Sequence, residues 1–226
     1  MPLTYRSTRA DLIVAPLTQL KRRILFVRHG ETDWNAERRM QGQRNVPLNQ
    51  KGESQARTVG EILAGLLSAG NEVDVWCSPL MRCQRTYELA SETYRAAFGA
   101  PLPAPSFDDR LKEITFGPME GKTLAELPPE QAEARAKDHW AFRVEGAESY
   151  ADGAVRAADW LSEQTSSAAP LLVFSHSGIC RGLRHVLLNI PGEEASNSAI
   201  PQGVVIEWSK WSNKGGSWSE ERFTGT

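Results

Sequence analysis

The chain has 226 residues, 40 % of them hydrophobic and 24 % charged, with a net charge of −2. This is the composition of one globular domain with room for an insertion, and it argues against a nucleic-acid surface or an anionic membrane as the main partner. Three cysteines (Cys77, Cys83, Cys180) match no zinc spacing, and no run of about 18 apolar residues is present, so the expectation is a cytoplasmic protein with reduced thiols and no membrane span.

The first stretch, "MPLTYRSTRADLIVAPLTQLKRR", has its apolar patches broken by Asp11, Pro16 and Gln19 and makes an unconvincing secretory signal. Residues 1–22 read as an N-terminal extension without an assigned role, and 23–226 as the domain.

Residues 23–28 form an apolar strand. "NQKGESQARTVGEILAGLLSAG" follows as a helix, with Asn49 as N-cap and Ala56, Val59, Ile62, Leu63, Leu66 and Leu67 at helical spacing. Residues 72–78 read as a second strand and 81–97 as a helix. "GAPLPAPSF" reads as a Pro-rich connector. The segment 123–149 is polar and reads as helical, with Pro128 and Pro129 near a helix start; we expect a helical cap insertion around 122–148 that covers the sheet edge. Residues 149–164 read as a helix with Val155, Ala158, Trp160 and Leu161 facing a core. Residues 170–178 make a third strand and 179–189 its helix, a segment that holds His185; His139 also falls in a helical pattern. Residues 203–208 and 217–223 pair as a hairpin around "SNKGG", in which Trp208, Trp211 and Trp218 stack. Strands interleaved with helices predict an α/β fold, a three-layer αβα sandwich on a mainly parallel sheet.

The three apolar strands each end in polar chemistry: Arg28 and His29 after the first, Arg82 at the start of the helix after the second, and His176 after the third. In a parallel sheet these C-terminal ends share one edge, where ligands bind. An unpaired Arg28 at the tip of a buried strand costs several kcal/mol, about that of any isolated buried charge, and calls for an anion. Two guanidinium forks and two imidazoles suit a phosphoryl group.

"RHGETDWN" (28–35) resembles the signature of the histidine phosphatase superfamily, the phosphoglycerate mutase-like fold. "SPLMRCQRT" (78–86), "LKEITFGPMEG" (111–121) and "SHSG" (175–178) resemble its other three motifs in the same order, and the likeness extends over about 24–206. The resemblance implies roles. His29 matches the nucleophile that becomes phosphohistidine, and Arg28, Arg82 and His176 match ligands of the phosphoryl oxygens. Asn35 and Ser177 match further phosphate contacts, Glu113 the proton donor, and Gln41 and Gly42 a loop at the substrate mouth.

The chemistry requires a neutral imidazole at His29, which Arg28 and Arg82 favour, with its second ring nitrogen donating to a backbone carbonyl near Gly30. Guanidinium donors and a protonated His176 are expected where charge spreads over the phosphoryl oxygens. Glu113, kept protonated by enclosure, is expected to give the leaving alkoxide its proton.

Other signals fail on spacing. "GPMEGKT" has three residues between its glycines where a nucleotide P-loop needs four, and the strand before it is missing. Cys77 and Arg82 are separated by four residues, one short of the loop of cysteine phosphatases. Asp108, Asp109 and Arg110 read as a solvated turn, and no metal or cofactor is expected. Mutases that depend on bisphosphoglycerate carry a long basic and aromatic insertion after the third motif. The corresponding 124–148 here is short and of mixed charge, which resembles the cofactor-independent phosphatase branch. The expected partner is a small phosphorylated metabolite. The alternatives are a phosphoglycerate mutase and a regulatory module that holds phosphate without turnover.

Overall fold

A computed structural model describes residues 20–68, 72–210 and 217–225. Its six strands form one sheet: β1 (Ile24–Arg28), β2 (Asp74–Cys77), β3 (Ser106–Phe107), β4 (Leu171–Ser175), β5 (Val204–Lys210) and β6 (Trp218–Thr224). The spatial order is β3-β2-β4-β1-β5-β6. The pairs β2–β3, β2–β4 and β1–β4 are parallel, while β1–β5 and β5–β6 are antiparallel. Because β4 lies between β1 and β2 with the same direction, the C-terminal ends of all three meet on one edge.

The helices are α1 (Asp33–Ala36), α2 (Gln50–Leu66), α3 (Met81–Phe98), α4 (Pro129–Lys137), α5 (Tyr150–Ser162), α6 (Ser177–Leu188) and α7 (Gly192–Asn197). Strand β1 is apolar throughout because both its faces are covered. Ile24 and Phe26 face a core with Trp160 of α5 and Leu183 of α6; Leu25 and Val27 face another with Val59 and Leu63 of α2 and Ala90 and Tyr94 of α3. Two helical layers thus sandwich the sheet, as the alternation of elements implies.

Several boundaries differ from the sequence reading. Leu20 and Arg22 are buried in the domain, and Arg22 donates to the Ala169 carbonyl at 2.7 Å, so residues 20 and 22 belong to the packed domain rather than to an extension. Residues 1–19 and the whole "SNKGG" turn lie outside the described residues. The Pro-rich connector ends in the short edge strand β3, and α7 went unread. Segment 123–149 is helical only at α4 and in a 3-10 turn, Leu124–Glu126. Its apolar side chains Leu127, Ala132, Phe142 and Val144 pack on Met40, Met119 and Phe116. It therefore sits over the loops at the strand ends and leaves edge-strand Phe107 half exposed, so it does not cover the sheet edge. His139 lies in a turn beyond α4, edge-on to Tyr150 at 5.0 Å, and not in a helix. Trp208 packs on Phe26 at 5.7 Å across the β1–β5 pair and opposes Glu220, not Trp218, so the expected Trp208–Trp218 stack is absent; Trp211 lies outside the described residues. Among the described residues no helix is long and apolar enough to cross a membrane.

Candidate active site

The edge where β1, β2 and β4 end opens into a cavity of about 230 Å³. Its inner wall carries Arg28, His29, Asn35, Arg82, Glu113 and Ser177; Gln41 and Gly42 also border it. Residues separated by about 150 positions in the chain are thus gathered at one place.

His29 follows β1 directly and is only 3 % exposed. Its backbone N–H donates to the Ser175 carbonyl at 3.0 Å, and its ring Nδ1 lies 2.7 Å from the Gly30 carbonyl. A carbonyl only accepts, so Nδ1 bears the proton and Nε2 keeps its lone pair. Burial first, then the charges of Arg82 and Arg28, hold the imidazole well below its ordinary range. The neutral nucleophile expected from the arginines alone is therefore secured chiefly by desolvation.

His176, after β4, is fully buried, its ring centroid 5.2 Å from that of His29. Burial, Arg82 and His29 hold it, too, well below its ordinary range. This corrects the expectation of a protonated His176: an imidazolium there would be desolvated beside two guanidinium groups. His176 is also not on the cavity wall. Its Nε2 lies 2.7 Å from Ser78 Oγ, which itself accepts from the Leu80 N–H at 3.3 Å. His176 Nε2 and the Ser78 hydroxyl thus share one proton across this contact.

The two arginines differ. Arg28 donates Nη1 to the Ile200 carbonyl at 2.6 Å, and burial brings its pKa down to about 10, still charged at neutral pH. Arg82 has both Nη atoms engaged, with the carbonyls of Arg44 at 2.7 Å and Gly42 at 2.8 Å. Its fork is not free to grip an anion in the way expected; Nε and the second hydrogen on each Nη remain. The Nε atoms of both arginines are buried without a protein partner.

Glu113 is 7 % exposed. Its Oε1 accepts from the N–H groups of Gly178 at 2.9 Å and Ile114 at 3.1 Å, and its Oε2 from Ser177 Oγ at 3.1 Å. The side chain of the N-cap residue His176 does not cap α6; Glu113 does so from a distant loop, its oxygens accepting at the helix N-terminus. A Cβ at Gly178 would stand 2.2 Å from Glu113 Oε1, so only glycine admits this contact. Asn35 accepts on Oδ1 from Thr32 N–H at 3.2 Å and Gln202 Nε2 at 3.0 Å. With the oxygen engaged, its amide hydrogens are the group offered to the cavity.

The family model "Histidine phosphatase superfamily (branch 1)" matches residues 24–222. The chain belongs to the histidine phosphatase superfamily. Relatives named as probable phosphoglycerate mutase GpmB, from Salmonella paratyphi C and Salmonella choleraesuis, are 41 % and 40 % identical over 108 residues. Those matches take in 48 % of this chain and 45 % of each relative, so the chain spans about half the length of the curated relatives it matches. The crystal structure of TTHB049 from Thermus thermophilus is 31 % identical with a TM-score of 0.61, covering 82 % of this chain and 92 % of that one. A phosphoglycerate mutase structure from the same organism is 28 % identical with a TM-score of 0.65, covering 90 % and 99 %. At 23 % identity and a TM-score of 0.74, a candidate alpha-ribazole-5'-P phosphatase from Escherichia coli shares the fold, over 91 % and 97 % of the two chains.

Sequence reasoning missed the supports of this candidate site. Thr86 Oγ1 accepts from the Gly30 N–H at 3.0 Å and donates to the Arg82 carbonyl at 2.7 Å, joining the His29 loop to α3. Arg156 donates to the carbonyls of Arg110 and Lys112 at 2.7 and 2.8 Å and fixes the approach to Glu113. Glu120 is a buried hub: its Oε1 accepts from Gln43 N–H and Thr115 Oγ1, both at 3.1 Å, and its Oε2 pairs with Arg44 at 3.1 Å. Gly42 has φ +51°, and a Cβ there would fall 2.0 Å from Glu120 Oε1. The carboxylate thus sets the loop whose carbonyls hold Arg82. The signal for Glu120 was present in "FGPMEG", an acid between positions that read as apolar or turn, but only the fold supplies its partners.

Proposed function

We propose that the protein hydrolyses phosphomonoesters through a phosphohistidine on His29. The observation that carries this reading is the buried His29 ring, neutral and with its Nδ1 tied to the Gly30 carbonyl, facing a cavity walled by Arg28 and Arg82. Nε2 attacks phosphorus while the bond to the leaving alcohol breaks, and Glu113 gives that oxygen a proton. Water then attacks the phosphohistidine, Glu113 takes a proton back, and inorganic phosphate leaves. Arg28, Arg82 and the Asn35 amide meet the charge on the phosphoryl oxygens, and His176, its ring centroid 5.2 Å from that of His29, stands behind the nucleophile rather than on the cavity wall. Gln41, Gly42 and Ser177 line the path of the leaving group. Each fixed donor removed should cost about 10²–10³ in turnover.

The mutase reading draws on the names of relatives matched over half their length. The mixed charge of 124–148 favours hydrolysis. The test is release of p-nitrophenolate from p-nitrophenyl phosphate in the presence of a chelator, with Glu113→Gln as the variant. Hydrolysis should persist without metal, and the variant should lose far more on alkyl phosphates than on p-nitrophenyl phosphate, whose leaving group needs no proton. Equal losses on both would remove Glu113 from the acid role. Isomerisation of 3-phosphoglycerate that requires bisphosphoglycerate, without hydrolysis, would establish the mutase instead.

A further inference from the structure

The loop from α7 to β5, residues 198–203, touches two of the residues on the inner wall without lining the cavity itself. Three carbonyls in a row, those of Ser198, Ala199 and Ile200, each accept from an arginine: Arg181 Nε at 3.1 Å, Arg222 Nη1 at 3.3 Å and Arg28 Nη1 at 2.6 Å. The Ile200 side chain is buried in the core that Phe26, Trp160 and Leu183 share, so the loop is rooted in the body of the domain. Two residues further on, Gln202 donates Nε2 to Asn35 Oδ1 at 3.0 Å, across 167 positions of sequence.

Asn35 needs such a tie. It belongs to α1, a helix of four residues none of which is buried, so packing holds it weakly. Its Oδ1 also accepts from the N–H and the hydroxyl of Thr32, both at 3.2 Å, but these bonds lie within the same turn and move with it. Gln202 is the donor that comes from outside that turn. A carboxamide is nearly symmetric in shape: turned one way it offers two N–H donors, and turned the other an oxygen that repels an oxyanion. Among the described residues, Asn35 Nδ2 has no hydrogen bond, and Asn35 borders the cavity.

We propose that Gln202 is a positioning residue of this site: its amide anchors Asn35 to the α7–β5 loop and fixes the Asn35 carboxamide with its N–H groups toward the bound phosphoryl group. This rests on the reading of the cavity as the phosphoryl site with Asn35 among its ligands, and adds the residue that holds that ligand in place. Gln202 itself is not on the cavity wall, so its effect runs through Asn35.

Calorimetric binding of inorganic phosphate tests this apart from turnover, on four proteins: the wild type, Gln202→Met, Asn35→Ala and the double variant. Methionine keeps the length of the side chain at this half-buried position and removes the donor. Asn35→Ala should weaken phosphate about tenfold, the size expected for a charge-assisted hydrogen bond, and Gln202→Met about fivefold. The double variant should match Asn35→Ala within about twofold, since Gln202 then has nothing left to orient. A spectroscopic readout separates orientation from a general loss of structure. In proton–nitrogen correlation spectra the side-chain amide pair of Asn35, identified by its absence in Asn35→Ala, should shift on addition of phosphate in the wild type and shift clearly less in Gln202→Met. A loss on Gln202→Met that is equal in both backgrounds, or wild-type affinity and shift in Gln202→Met, would overturn the positioning role. Unchanged affinity in Asn35→Ala would remove Asn35 as a ligand and the role with it, and no phosphate binding by the wild type would overturn both together with the phosphoryl reading of the cavity. Phosphate binding with the expected coupling, but without hydrolysis of p-nitrophenyl phosphate, supports the positioning role and refutes the phosphatase reading alone.

Discussion

Acid should destabilise this protein through its two buried active-site imidazoles, and His29→Asn should remove about half of that effect. Burial and the neighbouring guanidinium groups hold His29 and His176 well below the ordinary histidine range. In the unfolded chain each titrates near 6.5. Below that pH the unfolded state binds two protons that the folded state refuses, so stability falls as pH falls through about 6.5 and continues to fall until the folded rings themselves protonate. The slope for one proton is about 1.36 kcal/mol per pH unit. At pH 5 each ring therefore costs up to about 2 kcal/mol and the pair up to about 4, a large part of a typical 5–15 kcal/mol stability. Urea unfolding at pH 7, 6.5, 6, 5.5 and 5 measures this for the wild type and for His29→Asn. Carboxylates that titrate in the same range contribute equally to both proteins and cancel in the difference. Losing the bond to the Gly30 carbonyl shifts the variant at every pH without changing the slope. The difference should be flat above pH 7 and then change by about 2 kcal/mol by pH 5 in favour of the variant. A difference that is independent of pH would mean that His29 is free to protonate, which would refute the neutral-nucleophile argument.

Further outcomes follow from the supporting contacts. Glu120→Ala should raise KM about tenfold or more, since the carbonyls that anchor Arg82 lose their fixed loop, while Glu120→Gln, which keeps an acceptor at Oε1, should be milder; steady-state kinetics on p-nitrophenyl phosphate decide. Ser78→Ala should lower kcat about tenfold by freeing the His176 tautomer, with little change in thermal midpoint because a methyl-sized group fills the same buried space. Gly178→Ala should act on alkyl phosphates and spare p-nitrophenyl phosphate, because its Cβ would displace the Glu113 carboxylate from its 2.9 Å contact with the helix terminus.

Sequence carried the sheet because β1 and β4 are apolar on both faces and end at polar residues, a pattern that sets element type, burial and the ligand-binding edge together. Helix α2 was readable from Asn49, which does cap it, and α5 from the spacing of Ala158, Trp160 and Leu161, which are buried. Short elements were not: β3 has two residues and α7 six, too few for a period to register. Segment 123–149 misled because its charged residues suit a helix, whereas Phe142 and Val144 turn inward to the Met40 cluster. The site residues were legible as types and positions, but their charge states were not. The neutrality of His176 depends on burial and on the charge of Arg82, 94 positions away, its ring contact is Ser78, 98 positions away, and the engagement of Arg82 depends on carbonyls about 40 positions away. No spacing rule encodes contacts of that range.

The most direct test of the account is to trap the phosphoryl-enzyme. Rapid mixing with p-nitrophenyl phosphate, a denaturing quench in alkali (where phosphohistidine survives) and mass spectrometry of the peptides should place one phosphoryl group on His29 and none on His29→Asn. Brisk turnover with every histidine peptide unmodified, or with the phosphoryl group on His176, would contradict the assignment.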